Sequence, residues 1–304
     1  MAFHPLLLSF PIEGEENESD MTSVILKVTC QDKKGLIAAV SGFISQNRGN
    51  IITLDEFVDK ASNTFFMRIE WDIQDFSIAR EKIAPAVAHV FASGGFGGKW
   101  ELVFSDTKPR MAIFASRFDH CLWDLLLRHK AGELRCDIPV VISNHEDLLP
   151  VAEFFGVPYH VVPKTSENKF QAERKEFEIL EDYQIDFVVM ARYMQVLSED
   201  FLSRYENRVI NIHHSFLPAF EGAKPYHQAF ERGVKIIGAT AHFATVNLDK
   251  GPIIHQATLP ISHQDTVDDL ITKGRDIEKR VLSDGVKLYI ANRVFVHGHR
   301  TIIL

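Results

Sequence analysis

NIHHSFLPAFEGAKPYHQAFERGVKIIGATAHFATVNLDKGPIIHQ, residues 211–256, is the stretch on which the reading of this chain turns. Val209 and Ile210 stand just ahead of it and read as the end of a buried strand, so Asn211 and His213 emerge at that strand's carboxyl end. In open α/β sheets this edge collects ligands and catalytic groups. Asp249 follows His213 by 36 residues, in the turn Asn247-Leu248-Asp249-Lys250-Gly251 between two apolar segments. An amide, an imidazole and a carboxylate are what acyl-group chemistry requires. The amide can stabilise an oxyanion, the imidazole can move a proton, and the carboxylate can orient and charge-balance the imidazole. Each residue alone also has an ordinary structural reading: Asp in a glycine turn is common turn chemistry, and an inward His242 is often a satisfied core residue. Their joint spacing is what carries weight.

Outward from this stretch the pattern alternates. Met111–Ala115, Pro139–Ile142, Tyr159–Val162, Phe187–Met190 and Val209–Ile212 read as buried strands, and segments between them, such as Leu122–His129 and Phe170–Asp182, have helical spacing. That alternation predicts a doubly wound, mostly parallel, Rossmann-like sheet over residues 110–304. Ile236–Val246 and Pro252–Leu259 are expected as a hairpin-like excursion, and Thr266–Asn292 as one long closing helix or two.

The first hundred residues have a different rhythm. Strands are expected at Val24–Cys30, Asn50–Val58, Thr64–Ile73 and Trp100–Phe104, with helices from Leu36 to about Asn47 and from Phe76 to Phe91. The order βαββαβ is a ferredoxin-like arrangement over residues 21–104. Ser105-Asp106-Thr107-Lys108-Pro109 is short, polar and proline-terminated, as a linker should be, and residues 1–20 read as a loosely ordered tail.

Composition excludes several function classes. The 304 residues carry 33 basic and 41 acidic side chains, net −8, which argues against nucleic-acid or anionic-membrane binding. No apolar run approaches the ~20 residues needed to cross a bilayer. Leu6–Ile12 is apolar but has no basic flank, so it is not a signal peptide. Cys30, Cys121 and Cys136 are odd in number and widely spaced, which supports neither a disulfide framework nor a zinc site. A cytoplasmic location follows. Gly94–Lys99 is no phosphate loop, because Trp100 stands where Ser or Thr is needed and the run precedes a strand. His145-Glu146 lacks the second ligand of a zinc hydrolase, since position 149 is Leu. His213 and His214 are adjacent and point different ways, so no metal is expected.

The motif Asn211-Ile212-His213, Ser215-Phe216-Leu217-Pro218, Gly238 to His242 and Asp249-Lys250-Gly251 resembles the formyltransferase family that uses 10-formyltetrahydrofolate, over about two-thirds of the chain. The resemblance implies a catalytic trio of Asn211, His213 and Asp249, with His214, His242 and Ser215 in support. It implies that Arg192-Tyr193-Met194-Gln195-Val196-Leu197 lines a pterin pocket, with His120 on the substrate side. Two departures stand out: His214 replaces a proline common in the transferases, and Arg192 stands where they often carry a small residue.

The first unit resembles an ACT domain, a regulatory and oligomerising module. The resemblance places an amino-acid effector at Asp32, Lys34, Gly35 and Leu36 and implies a homo-oligomer. The two units together are similar to the deformylases of the family. Those enzymes hydrolyse 10-formyltetrahydrofolate as substrate, hold no permanent cofactor, balance folate pools and supply formate for purine synthesis. Ser116-Arg117-Phe118-Asp119-His120 agrees. Where the transformylases place a glycine-rich phosphate cradle it has no glycine, and Asp119 would repel a phosphate. The alternatives are formyl transfer to an unphosphorylated amine, or folate or amino-acid binding without turnover.

Overall fold

The structure is a computed structural model and describes residues 22–219 and 225–304. The expected tail, residues 1–20, lies outside the described residues. The first unit runs β1 (Ser23–Gln31), α1 (Leu36–Gln46), β2 (Asn50–Asp59), β3 (Thr64–Asp72), α2 (Arg80–Ser93) and β4 (Lys99–Phe104). Its antiparallel sheet has the order β2-β3-β1-β4. Val24, Leu26 and Val28 alternate along β1 into the core, where Leu36, Val40 and Ile44 of α1 and Ile83, Val87 and Phe91 of α2 meet them. Helix α2 starts at Arg80, not Phe76. The Ser77 amide and hydroxyl are spent on the Asn47 carbonyl, which holds the chain out of helical geometry there.

The second unit continues with β5 (Arg110–Ala115), α3 (His120–Lys130), β6 (Asp137–Ser143), α4 (Leu149–Phe155), β7 (Tyr159–Val161), α5 (Lys169–Asp182), β8 (Phe187–Ala191), α6 (Glu199–Arg204) and β9 (Val209–His213). It closes with α7 (Pro225–Arg232), β10 (Ile236–Phe243), β11 (Ile253–Pro260), α8 (Val267–Ile290), β12 (Val294–His297) and β13 (Arg300–Ile303). The seven-stranded order is β11-β10-β9-β8-β5-β6-β7. Strands β9, β8, β5, β6 and β7 are parallel neighbours. Helices cover both faces, so the central strands are apolar throughout. Along β5, Met111 and Ile113 enter one core while Ala112 and Phe114 enter the other.

Two features differ from the expectation. The β10–β11 hairpin is no excursion: β10 pairs antiparallel with β9 and extends the main sheet. The last eleven residues form a further hairpin that packs on the first unit. There Phe295 and Leu304 bury Phe66. Arg300 Nη2 meets Asp59 at 2.6 Å, and the Arg68 Nε–H donates to the Ala291 carbonyl at 3.2 Å. No helix among the described residues is long and apolar enough to cross a membrane.

Candidate active site

Strand β9 alternates, so Asn211 and His213 share a face while Ile210 and Ile212 enter the core behind them. Its register against β10 sets His242 opposite Asn211 and Thr240 opposite His213. Asp249 arrives from the turn after β10 with φ of 57°, a left-handed conformation that Asp tolerates better than most residues. Gly251 closes the turn because no side chain fits: a Cβ there would lie 1.7 Å from the Phe243 carbonyl oxygen. Asp249 Oδ1 thereby sits 3.1 Å from His213 Nδ1.

The hydrogen bonds determine which atoms face the reaction. The Phe243 carbonyl can only accept, so His242 donates to it from Nδ1 at 2.9 Å. Burial lowers the His242 pKa and keeps the ring neutral. Its Nε2 is therefore an acceptor, and Asn211 Nδ2, 3.2 Å away, must donate to it. The Asn211 amide is thus oriented with its NH2 inward, one hydrogen on His242 and the other left for a ligand. His213 Nδ1–H donates to Asp249, and the His213 hydrogen bond holds the Asp249 carboxyl below its usual range. His213 Nε2 is buried and has no hydrogen-bond partner among the described residues. A polar atom in that state awaits one. Replacing His242 by Leu should release the Asn211 amide and lower kcat about tenfold, the worth of roughly one hydrogen bond, with KM little changed; steady-state kinetics checks this.

A cavity of about 620 Å³ is lined by Asn211, His213, His214 and Asp249, by Arg192–Val196, and by Phe118, His120 and Glu278. Its size is that of a pocket for one small organic molecule. Met194 and Val196 are half exposed at its margin. Tyr193 reaches the other way, donating its hydroxyl to Glu176 Oε1 at 2.7 Å and packing edge-on against Phe114. Leu197 and His242 line a small adjoining pocket of about 40 Å³ with Asn211 and Asp249. Ser215 donates to the Ala219 carbonyl and so braces its own turn. The His214 ring lies tilted against His213, with centres 5.1 Å apart. Burial, then the Arg192 charge, pushes the His214 pKa down to about 4. His214 is therefore neutral throughout pH 5–8, and His214→Gln should leave the pH–rate profile in that window in place.

Glu278, absent from the sequence-based candidates, sits at the centre of the cavity's α3–α8 wall. His120 Nε2 lies 2.7 Å from its Oε2, Arg192 Nε 3.5 Å from the same oxygen, and Tyr226 donates to Oε1. Burial works to raise this carboxyl, but His120, Arg192 and Tyr226 outweigh it and hold the pKa below its ordinary value. A capping box at Thr266 and Asp269 starts α8, and its buried stripe Gly274-Ile277-Glu278-Val281-Leu282-Gly285 carries the carboxylate inward. Gly274 is required there, because a Cβ would lie 2.2 Å from the Tyr226 hydroxyl. A carboxylate on an otherwise apolar helical stripe was the signal that could have found it. His120, Cys121 and Glu278 lie within metal-binding reach of one another. However, the Glu278 oxygens are engaged and burial raises the Cys121 thiol far above its normal range, so the group reads as a charge cluster.

In the first unit, Gly35 takes φ of 91° at the start of α1, Asp32 and Lys34 are exposed, and Leu36 packs in the core. The three cysteines are free and buried.

Residues 109–286 match the family model described as formyl transferase. A formyltetrahydrofolate deformylase of Synechocystis sp. is 48% identical over 284 residues, 93% of this chain and 99% of the relative. One from Bacillus subtilis is 42% identical over 91% of this chain and 92% of its own. The crystal structure of a formyltetrahydrofolate deformylase from Pseudomonas syringae pv. tomato superposes with a TM-score of 0.91 at 40% identity, covering 95% of this chain and 96% of that one.

Proposed function

The chain belongs to the formyltetrahydrofolate deformylase family, and from that premise we infer how its site works. The enzyme hydrolyses 10-formyltetrahydrofolate to tetrahydrofolate and formate. Water adds to the formyl carbon, negative charge grows on the formyl oxygen, the C–N10 bond breaks, and a water proton ends on N10. The free hydrogen of the Asn211 amide stabilises the growing charge. His213, oriented through Nδ1 by Asp249, takes the water proton at Nε2 and passes it to N10. The observation that carries this reading is the buried, unpartnered His213 Nε2 beside an Asn211 amide whose orientation His242 dictates. Within residues 192–197, Met194, Gln195 and Val196 hold the pterin together with the apolar lining.

Residues 21–104 act as an ACT regulatory domain that binds an amino-acid effector beside Gly35 and assembles the enzyme as a homo-oligomer; the βαββαβ order and the left-handed Gly35 turn support this. The enzyme works in the cytoplasm and holds no permanent cofactor. The test of the main reading is incubation of the full-length protein with 10-formyltetrahydrofolate and no acceptor. Formate and tetrahydrofolate are expected in equal amounts, and formyl release that needs an added amine would overturn it.

A further inference from the structure

Arg192 carries two costs at once. Its φ is 60°, a region natural to glycine, although its side chain is long and charged. It is also buried, and among the described residues its Nε and Nη1 have no hydrogen-bond partner, the approach of Nε to Glu278 at 3.5 Å being an ion pair. Backbone strain and an unsatisfied buried donor persist where function needs them. The position of Arg192 fits that rule. Strand β8 pairs with β9 in the register Met190–Asn211, so two residues on Arg192 leaves the sheet level with His213.

The Arg192 side chain turns from this point into the wall of the cavity. Its guanidinium lies 4.8 Å from the Phe118 ring centre and 3.5 Å from Glu278, which His120 and Tyr226 hold in turn. His214 lies between the two halves of the site, its ring tilted against His213 and Tyr226 with centres 5.1 and 6.2 Å away. The trio's cavity is thus walled on this side by a buried charge cluster, and the remaining space suits a single small molecule.

We propose that Arg192 is a specificity-determining residue: with Glu278 and Phe118 behind it, its side chain fills the space beside His213 that an amine acceptor must enter, so that only water reaches the formyl carbon. This rests on the hydrolase reading above and names what enforces it. In hydrolysis, the water oxygen bonds to the formyl carbon. In transfer, the amine nitrogen bonds to that carbon, the same C–N10 bond breaks, and an amine proton goes to N10. The two reactions share the trio and differ only in the room left for the nucleophile.

The full-length enzyme, Arg192→Gly, Phe118→Ala and Arg192→Lys are each incubated with 10-formyltetrahydrofolate and glycinamide, and formate and N-formylglycinamide are quantified by mass spectrometry. Glycine suits the φ at this position, which offsets part of the cost of taking the arginine from Glu278, and the melting temperature verifies that the variant is folded. The wild type and Arg192→Lys should give formate. Arg192→Gly should raise the ratio of N-formyl product to formate by about tenfold or more, a typical return for opening a pocket, and Phe118→Ala should shift it the same way. A folded Arg192→Gly whose ratio matches wild type would overturn the proposal, as would an equal rise in Arg192→Lys. N-formylglycinamide as the main wild-type product would instead sink the hydrolase reading itself.

Discussion

His213→Ala is expected to lower kcat/KM for formate release by about a thousandfold, within the range for losing a positioned proton-transfer group. Of the three proposed catalytic side chains, His213 alone has a buried nitrogen without a partner among the described residues, and in the proposed mechanism Asp249 acts on the reaction through it. Asp249→Asn should therefore show a loss of similar order. An amide can still accept from His213 Nδ1–H, but it cannot charge-balance a protonated ring. The double variant should lose little more than either alone, because the two side chains act as one unit. Losses that multiply would mean that Asp249 works independently of His213. Acid should also silence the wild type. Asp249 is held ionised below the usual carboxylate range by the His213 bond, so its contribution persists above that range and disappears as pH falls through the lowered value. Single-turnover formate release at each pH is the measurement.

Lys164→Met is expected to cost about 3–5 kcal/mol of stability, the usual penalty for removing one partner of a buried ion pair. Lys164 Nζ lies 3.3 Å from Glu173 and 3.0 Å from Glu176, and both the Lys164 ammonium stem and the Glu176 side chain are at most 1% exposed. Tyr193 donates to Glu176, and Glu173 accepts from the Ser198 amide, so the cluster anchors both ends of the loop over the cavity. Methionine keeps the length of the stem but leaves two buried carboxylates with no cation. Burial already raises the Glu176 pKa with Lys164 in place. Without the lysine it rises further, the folded variant binds a proton more tightly than the unfolded chain, and stability recovers as pH falls from 7 towards 5. Urea unfolding at several pH values checks both the size and the sign. A loss below about 1 kcal/mol at pH 7 would show that the charges are hydrated rather than enclosed. The loop should loosen with them, raising KM more than it lowers kcat.

The parallel core was legible because β5, β8 and β9 are short apolar runs between helical spacings, a pattern that helices on both faces impose. The β10–β11 hairpin was legible as two strands but not as part of the sheet. Strand pairing is a long-range choice, and neither its direction nor its neighbour is written in local periodicity. The C-terminal hairpin escaped notice because its apolar residues alternate over only a few positions and find their partner, Phe66, more than two hundred residues earlier.

Asn211, His213 and Asp249 could be proposed as one site from sequence because acyl chemistry constrains residue type, and the Asp-x-Gly turn constrains spacing through the close approach of Gly251 to the Phe243 carbonyl. Glu278 showed only as a carboxylate on an apolar stripe, because its partners His120 and Tyr226 lie far away in the chain. Lys164 and His242 have partners nearer in sequence, but their pairing depends on burial and side-chain direction that local pattern does not carry. The order of residues by itself determined the kinds of element and the chemical types at the strand ends, because those depend on neighbours within a few positions. Only the tertiary structure decided which charges are buried together and which N–H of Asn211 is left free. Such choices depend on desolvation and on directed hydrogen bonds, which exist only once the chain has closed around them.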